Sequence, residues 1–212
     1  MKKSKKQIMI VLLVILLVIG AVLFFLLRPK DAPKEQEVID LLQQAAEIYH
    51  PNHSSLSSVQ ELVAVGSKDN PAEHGYYDEV SDYDSVVCAV FSENGIRELE
   101  NSYLPEGPII LKKDGKVYHI SNQFSSMSNQ YFAEIVSLQL LSQDGDTFTY
   151  QAEAKYGYRE EDAGMDAPLS LSEPETYTFT VVRQGDKLLM EQFTYPGVSE
   201  ENRCNTEDWI IS

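Results

Sequence analysis

Thr147-Phe148-Thr149-Tyr150-Gln151-Ala152-Glu153-Ala154-Lys155-Tyr156-Gly157-Tyr158 alternates with a period of two. Phe148, Tyr150, Ala152, Ala154, Tyr156 and Tyr158 fall on one face; Thr147, Thr149, Gln151, Glu153 and Lys155 fall on the other. Successive side chains of a strand point to opposite sides of its sheet, so this pattern predicts a strand with one buried and one wet face. Gln143-Asp144-Gly145-Asp146 joins it to residues 131–142. Asp-Gly between apolar runs supplies the left-handed backbone that a tight hairpin needs.

The same grammar recurs on both sides. Ile109-Ile110-Leu111 and Val117-Tyr118-His119-Ile120 flank Lys113-Asp114-Gly115-Lys116. Residues 176–183 and 187–195 turn at Gln184-Gly185-Asp186, and Tyr177, Phe179 and Val181 share a face there. Earlier in the chain the period is helical. Val38, Leu41, Leu42, Ala45, Ile48 and Tyr49 predict a helix over 34–50, stopped by Pro51. A second short helix is expected over 57–65, then a Gly-, Pro-, Asn- and Asp-rich loop over 66–75 and a short strand at Tyr76-Tyr77-Asp78-Glu79-Val80. Asp84 can cap a helix running through Phe91, and Ser92 another through Leu99. Together these predict an α+β fold: helices first, then an antiparallel meander whose apolar face the helix over 34–50 covers. A helix on a curved sheet is also the element order of the NTF2-like and cystatin-like folds, which fixes no function.

Ahead of this domain, residues 8–27 are 20 consecutive apolar residues. At about 1.5 Å per residue they span roughly 30 Å, the hydrocarbon thickness of a bilayer. The run ends Phe24-Phe25-Leu26-Leu27-Arg28-Pro29-Lys30, with no small-x-small cleavage site and no following Cys. Lys2, Lys3, Lys5 and Lys6 precede it, while Arg28 and Lys30 follow, so the N-terminus is expected in the cytoplasm and the rest outside. The expected organisation is a stub and single-pass membrane anchor at 1–28, a linker at 29–34, an extracytoplasmic domain at 35–196 and a C-terminal tail at 197–212.

The whole chain carries a net charge of −16. All six basic residues of 1–30 belong to the anchor region, which holds no acid, so residues 31–212 carry 11 basic and 33 acidic residues, 11 − 33 = −22. Such a domain is repelled by nucleic acid and by anionic lipid; its charge either favours a basic partner or cations, or serves solubility alone. Cys88 and Cys204 could pair outside the cell; Cys88 in Val86-Val87-Cys88-Ala89-Val90 equally suits a buried, inert thiol.

No catalytic pattern emerges. G-x-S-x-G, S-x-x-K, H-E-x-x-H and a Gly-rich phosphate loop are all missing from the sequence. His50-Pro51-Asn52-His53 spaces two imidazoles on a broken helix and reads as an exposed polar loop. Asp162 to Asp166 lacks a calcium-loop pattern. No residue is therefore assigned to catalysis, to a cofactor or to a metal. Two segments are candidate partner-binding surfaces. One is the long acidic loop from Arg159 to Glu175, with Glu160, Glu161, Asp162 and Asp166, which could meet a basic partner or be a solvated insertion. The other is the Tyr-Asp segment around Tyr76, Tyr77 and Tyr83, which could face a partner or pack into the core.

The helix with Ala45, Ala46 and Tyr49, the Tyr-containing strand, the span from Asp84 to Phe91, the Phe91-Ser92 step and the hairpin at Lys113-Asp114-Gly115-Lys116-Val117-Tyr118 carry a resemblance. Over residues 35–125 the chain resembles the secreted inhibitors of bacterial cell-wall DL-endopeptidases and their Gram-positive relatives. The resemblance implies a non-enzymatic protein that docks on a peptidoglycan hydrolase in a Gram-positive envelope, and it carries over no contact residue. The anchor at 8–27 departs from a freely secreted inhibitor. The expected function is a membrane-anchored extracytoplasmic domain that binds a cell-envelope protein; the alternative is a small-ligand or enzymatic domain with a pocket beneath the helix over 34–50.

Overall fold

The helical spacing of residues 34–50 is realised in α1 (Glu35–Tyr49) of the computed structural model. Lys34 N donates to Glu37 Oε2 at 3.3 Å, which satisfies one of the donors a helix start leaves open. One stripe of α1 is buried: Val38, Leu41, Leu42, Ala45, Ala46, Ile48 and Tyr49. The structure describes residues 31–50, 56, 58–67, 74–104, 107–121, 130–158, 169–196 and 209–211, together with Ile15. The chain divides into two units, Met1–Asp31 and Ala32–Ser212. The anchor expected over 8–27 lies outside the described residues apart from Ile15. Among the described residues no helix is long and apolar enough to cross a membrane.

After α1 the chain departs from expectation. Residues 58–67 are not a helix but β1 (Ser58–Ser67). Val59, Val63 and Val65 favour extended backbone, and β1 finds antiparallel partners on both sides. One is β2 (His74–Val80), with Val63 opposite Tyr77. The ends of the expected loop over 66–75 are thus ladder residues, with Gly66 opposite His74. Next comes α2 (Tyr83–Val90), whose N-cap position is Asp82 rather than Asp84. Asp84 instead sits in the first turn, where its charge opposes the helix dipole favourably. The Ser92 expectation holds: Ser92 caps α3 (Glu93–Glu100), its Oγ accepting from Gly95 N at 3.1 Å.

Two residue pairs, β3 (Tyr103–Leu104) and β4 (Gly107–Pro108), form a short ribbon. The first expected hairpin follows as β5 (Ile110–Lys113) and β6 (Lys116–Ser121). Asp114 and Gly115 have φ of 51° and 78°, so both loop residues are left-handed, the geometry that matches strand twist in a two-residue turn. The second is β7 (Gln130–Asp144) with β8 (Thr147–Tyr158). β9 (Ser170–Leu171) pairs with the end of β8. The third hairpin is β10 (Glu175–Gln184) with β11 (Lys187–Phe193). Finally β12 (Trp209–Ile211) pairs with β1, so the expected tail over 197–212 contains a strand of the domain.

The fold is α+β with two antiparallel sheets in place of a single meander. One sheet runs β12-β1-β2-β6-β5; the other runs β11-β10-β8-β7, with β9 on β8. The alternation of β8 is read correctly as far as Ala154: Phe148, Tyr150, Ala152 and Ala154 are all buried. Tyr156 and Tyr158 are only half-buried. Gly157 is buried instead, with Leu169 so close that a Cβ at Gly157 would lie 2.9 Å from Leu169 Cδ1.

α1 is tied to both sheets. His119 of β6 reaches the Ile48 carbonyl, and Gln43 Nε2 donates to the Phe132 carbonyl of β7 at 3.3 Å. Phe132 itself has φ of 57°, a conformation that costs a non-glycine residue about 1–3 kcal/mol. Its buried ring offsets that cost, packing 4.8 Å from Tyr177 and 5.7 Å from Phe193 between centroids.

Candidate functional site

A set of polar contacts joins α3 to β11. The chain leaves α2 through Phe91, which bridges to Met190 of β11, and Ser92 N donates to Met190 O at 3.0 Å. Ser92 Oγ donates to Glu191 Oε2 while accepting from Gly95 N. Asn94 Nδ2 donates to Glu191 O at 3.2 Å. Gly95 is required by proximity: a Cβ would fall 2.3 Å from Met190 O. One turn on, Phe193 N donates to Glu98 Oε2 at 3.3 Å. Ser92 is thus an N-cap whose hydroxyl is committed at both lone pair and proton.

Beside this junction lies an aromatic cluster. Tyr49 stacks on Tyr195 at 5.6 Å, meets Phe193 edge-on at 5.4 Å and tilts against Phe91 at 6.0 Å. These rings occupy the space between the C-terminal end of α1 and β11. Burial pushes the Tyr49 hydroxyl well above the ordinary tyrosine range; the Ser102 hydroxyl works against that shift and the Glu98 charge adds to it.

His119 is the second buried titratable group. Its Nε2 lies 2.6 Å from Ile48 O. A carbonyl can only accept, so Nε2 carries the proton. Burial lowers the His119 pKa from 6.5, against smaller raising effects from backbone hydrogen bonds and the Asp78 charge. His50 is buried as well, edge-on to Tyr195 at 6.4 Å between centroids, which corrects its expected place in an exposed loop. His53 lies outside the described residues.

Of the Tyr-Asp segment, Tyr76 belongs to β2 and its side chain is outside the described residues. Tyr77 is fully buried and its hydroxyl donates to Pro108 O at 2.8 Å. Tyr83 is buried too, donating to Glu100 Oε1 at 2.8 Å. Lys112 Nζ lies 5.1 Å from the Tyr83 ring centroid and 2.6 Å from Glu100 Oε1. Burial, with the Glu100 hydrogen bond behind it, raises the Tyr83 hydroxyl far above its ordinary range. Tyr77 thus ties β2 to β4 and Tyr83 ties α2 to α3 and β5, which is the core-packing one of the two readings open to this segment.

The acidic candidates Glu160, Glu161, Asp162 and Asp166 lie outside the described residues. Their flanks are described: Tyr158 pairs with Ser170, and Gly157 with Leu171, so the two ends of the acidic segment emerge side by side. Glu173 and Glu175, at the end of the expected loop, are exposed. Cys88 is a free, exposed thiol on α2, not the buried one its apolar neighbours suggest. Cys204 lies outside the described residues. Among the described residues no three His, Cys, Asp or Glu side chains gather as a metal-binding group.

One feature escaped the sequence reading. Val136, Leu140 and Leu141 on β7 are 46%, 38% and 48% exposed. The signal was available: Ile135-Val136 and Leu140-Leu141 are apolar doublets inside an otherwise alternating strand, and both coincide with bulges.

No protein-family model matches this chain, and no curated protein sequence is significantly similar to it.

Proposed function

We propose that this chain is a single-pass membrane protein whose acidic α+β domain lies outside the cell and binds a basic protein of the envelope, with no catalysis of its own. The observation that carries this is the uninterrupted apolar run over 8–27, Lys-rich on its N-terminal side, ahead of residues 31–212 with their net charge of −22. Long-range attraction from such a charge speeds and orients encounter with a cationic surface. The use made of the polar groups supports the same function: Ser92 caps α3, Tyr83 braces α2 against α3, and His119 joins β6 to α1. Each candidate nucleophile or base among them is spent on holding the fold.

In its sharpest form the partner is a peptidoglycan hydrolase that the tethered domain inhibits, in line with the resemblance over residues 35–125. A small-molecule pocket of the NTF2-like or cystatin-like kind beneath α1 would need the space that Tyr49, Phe91, Phe193 and Tyr195 fill.

The test is cross-linking of the full chain in envelope membranes, followed by mass spectrometry of the adducts. A basic envelope protein should be captured at low salt and released as salt rises. Capture of no heterologous protein at low salt would sink the proposal.

A further inference from the structure

Among the described residues β7 stands at the end of its sheet, with β8 as its neighbour on one side. Its ladder with β8 shifts register between Ile135 and Ser137 and again between Leu140 and Ser142. Val136 and Leu141 are the additional residues at those two bulges, and both are exposed. Leu140 lies opposite Tyr150 and therefore points to the core side of the sheet, yet it is 38% exposed. The stretch from Ile135 to Gln143 contains no charged residue. An edge strand of this length with exposed apolar side chains is a template for another strand, because alternate backbone groups face away from its neighbour.

Charge decides what the template accepts. The β7–β8 hairpin holds Glu134, Asp144, Asp146 and Glu153 against Lys155 alone, 1 − 4 = −3. Lys155 is already engaged, its Nζ 3.0 Å from Glu134 Oε1. Glu134 and Asp144 bracket the uncharged stretch at a separation of roughly 30 Å of strand. A second copy would bring another domain of net charge −22 against the same edge, which disfavours self-pairing.

We propose that the β7 edge over Ile135–Gln143 binds an extended segment of a partner protein in which apolar residues alternate with Lys or Arg. The segment adds as a further strand, sets its apolar side chains against Val136, Leu140 and Leu141, and directs its cations to Asp144 and Glu153. This rests on the proposed function, and names the surface and the class of partner segment it uses.

The test is fluorescence anisotropy with labelled nine-residue peptides and the full chain in zwitterionic nanodiscs. The probes are an alternating Lys-Val peptide, its Glu-Val counterpart, and a Lys-Val peptide N-methylated at alternate residues to block strand addition. The Lys-Val peptide should bind saturably, weaken with salt, and bind V136T/L141Q at least tenfold more weakly. The other two peptides should not saturate. Equal binding to V136T/L141Q, equal binding of the N-methylated peptide, or no saturable binding would overturn the proposal. So would concentration-dependent self-association that V136T/L141Q abolishes, which would make the occupant a second copy. The titration needs no envelope partner, so its outcome is separable from that of the cross-linking: a partner captured equally by V136T/L141Q removes this surface and leaves the proposed function standing.

Discussion

His119 in β6 donates its Nε2 proton to the carbonyl of Ile48, 2.6 Å away in the last turn of α1. A helix leaves its last four carbonyls without intrahelical partners, and here a side chain from a sheet supplies one of them. The bond fixes the tautomer, the position of the α1 C-terminus and the spacing between α1 and β6.

The burial of His119, which outweighs the opposing effect of that hydrogen bond, makes stability pH-dependent. Burial lowers the pKa of His119 in the folded state below 6.5. The unfolded chain therefore binds the proton first as pH falls, and stability drops with it. The contribution is fully present above about pH 6.5 and is lost as pH falls below that value, at up to about 1.4 kcal/mol per pH unit. Chemical denaturation between pH 5 and 7.5 should show this slope. His119→Phe should flatten it, while leaving Ile48 O unsatisfied at a cost of about 1–3 kcal/mol.

Ser92→Ala should destabilise the domain by about 1–2 kcal/mol, since it removes the α3 cap and the hydroxyl that Glu191 accepts. Urea unfolding reads this as a lower midpoint at unchanged slope. Loss of well under 0.5 kcal/mol would mean that water replaces the hydroxyl at both contacts.

Gly95→Ala goes against helix propensity. Alanine in a helix interior is ordinarily better than glycine by about 1 kcal/mol. Here the added methyl meets Met190 O at 2.3 Å, and backbone must move. A net destabilisation of about 1–3 kcal/mol is expected, with the α3–β11 contacts changed in amide hydrogen exchange.

Tyr77→Phe and Tyr83→Phe separate packing from binding. Each removes one hydroxyl bond, a buried one to Pro108 O and a part-buried one to Glu100 Oε1 respectively, and should cost about 1 kcal/mol. Neither should alter capture of an envelope partner. Loss of capture at unchanged stability would restore these rings to the binding surface.

Much of the fold was legible because local chemistry and tertiary structure agree. Asp114-Gly115 turns where both residues take left-handed backbone, Ser92 caps α3, and α1 buries the stripe its spacing marks. β1 was not legible, since Gln60, Glu61, Leu62 and Ala64 are good helix formers and its strand character comes from β2 and β12, partners distant in sequence. Cys88 misled for a geometric reason. An eight-residue helix buries one stripe only; Tyr83, Val87 and Val90 take it, which turns Cys88 outward whatever its neighbours. The exposed apolar doublets of β7 were hidden by the same assumption of strict alternation that made β8 readable, because each bulge inserts a residue the alternation does not count.

The exposed thiol on α2 gives the most direct test of where the domain resides. With Cys204→Ser, Cys88 is the sole cysteine of the full chain. A membrane-impermeant maleimide applied to intact protoplasts should label Cys88 to the same extent as it does after lysis. Labelling that appears only after lysis would place the domain in the cytoplasm and contradict the account.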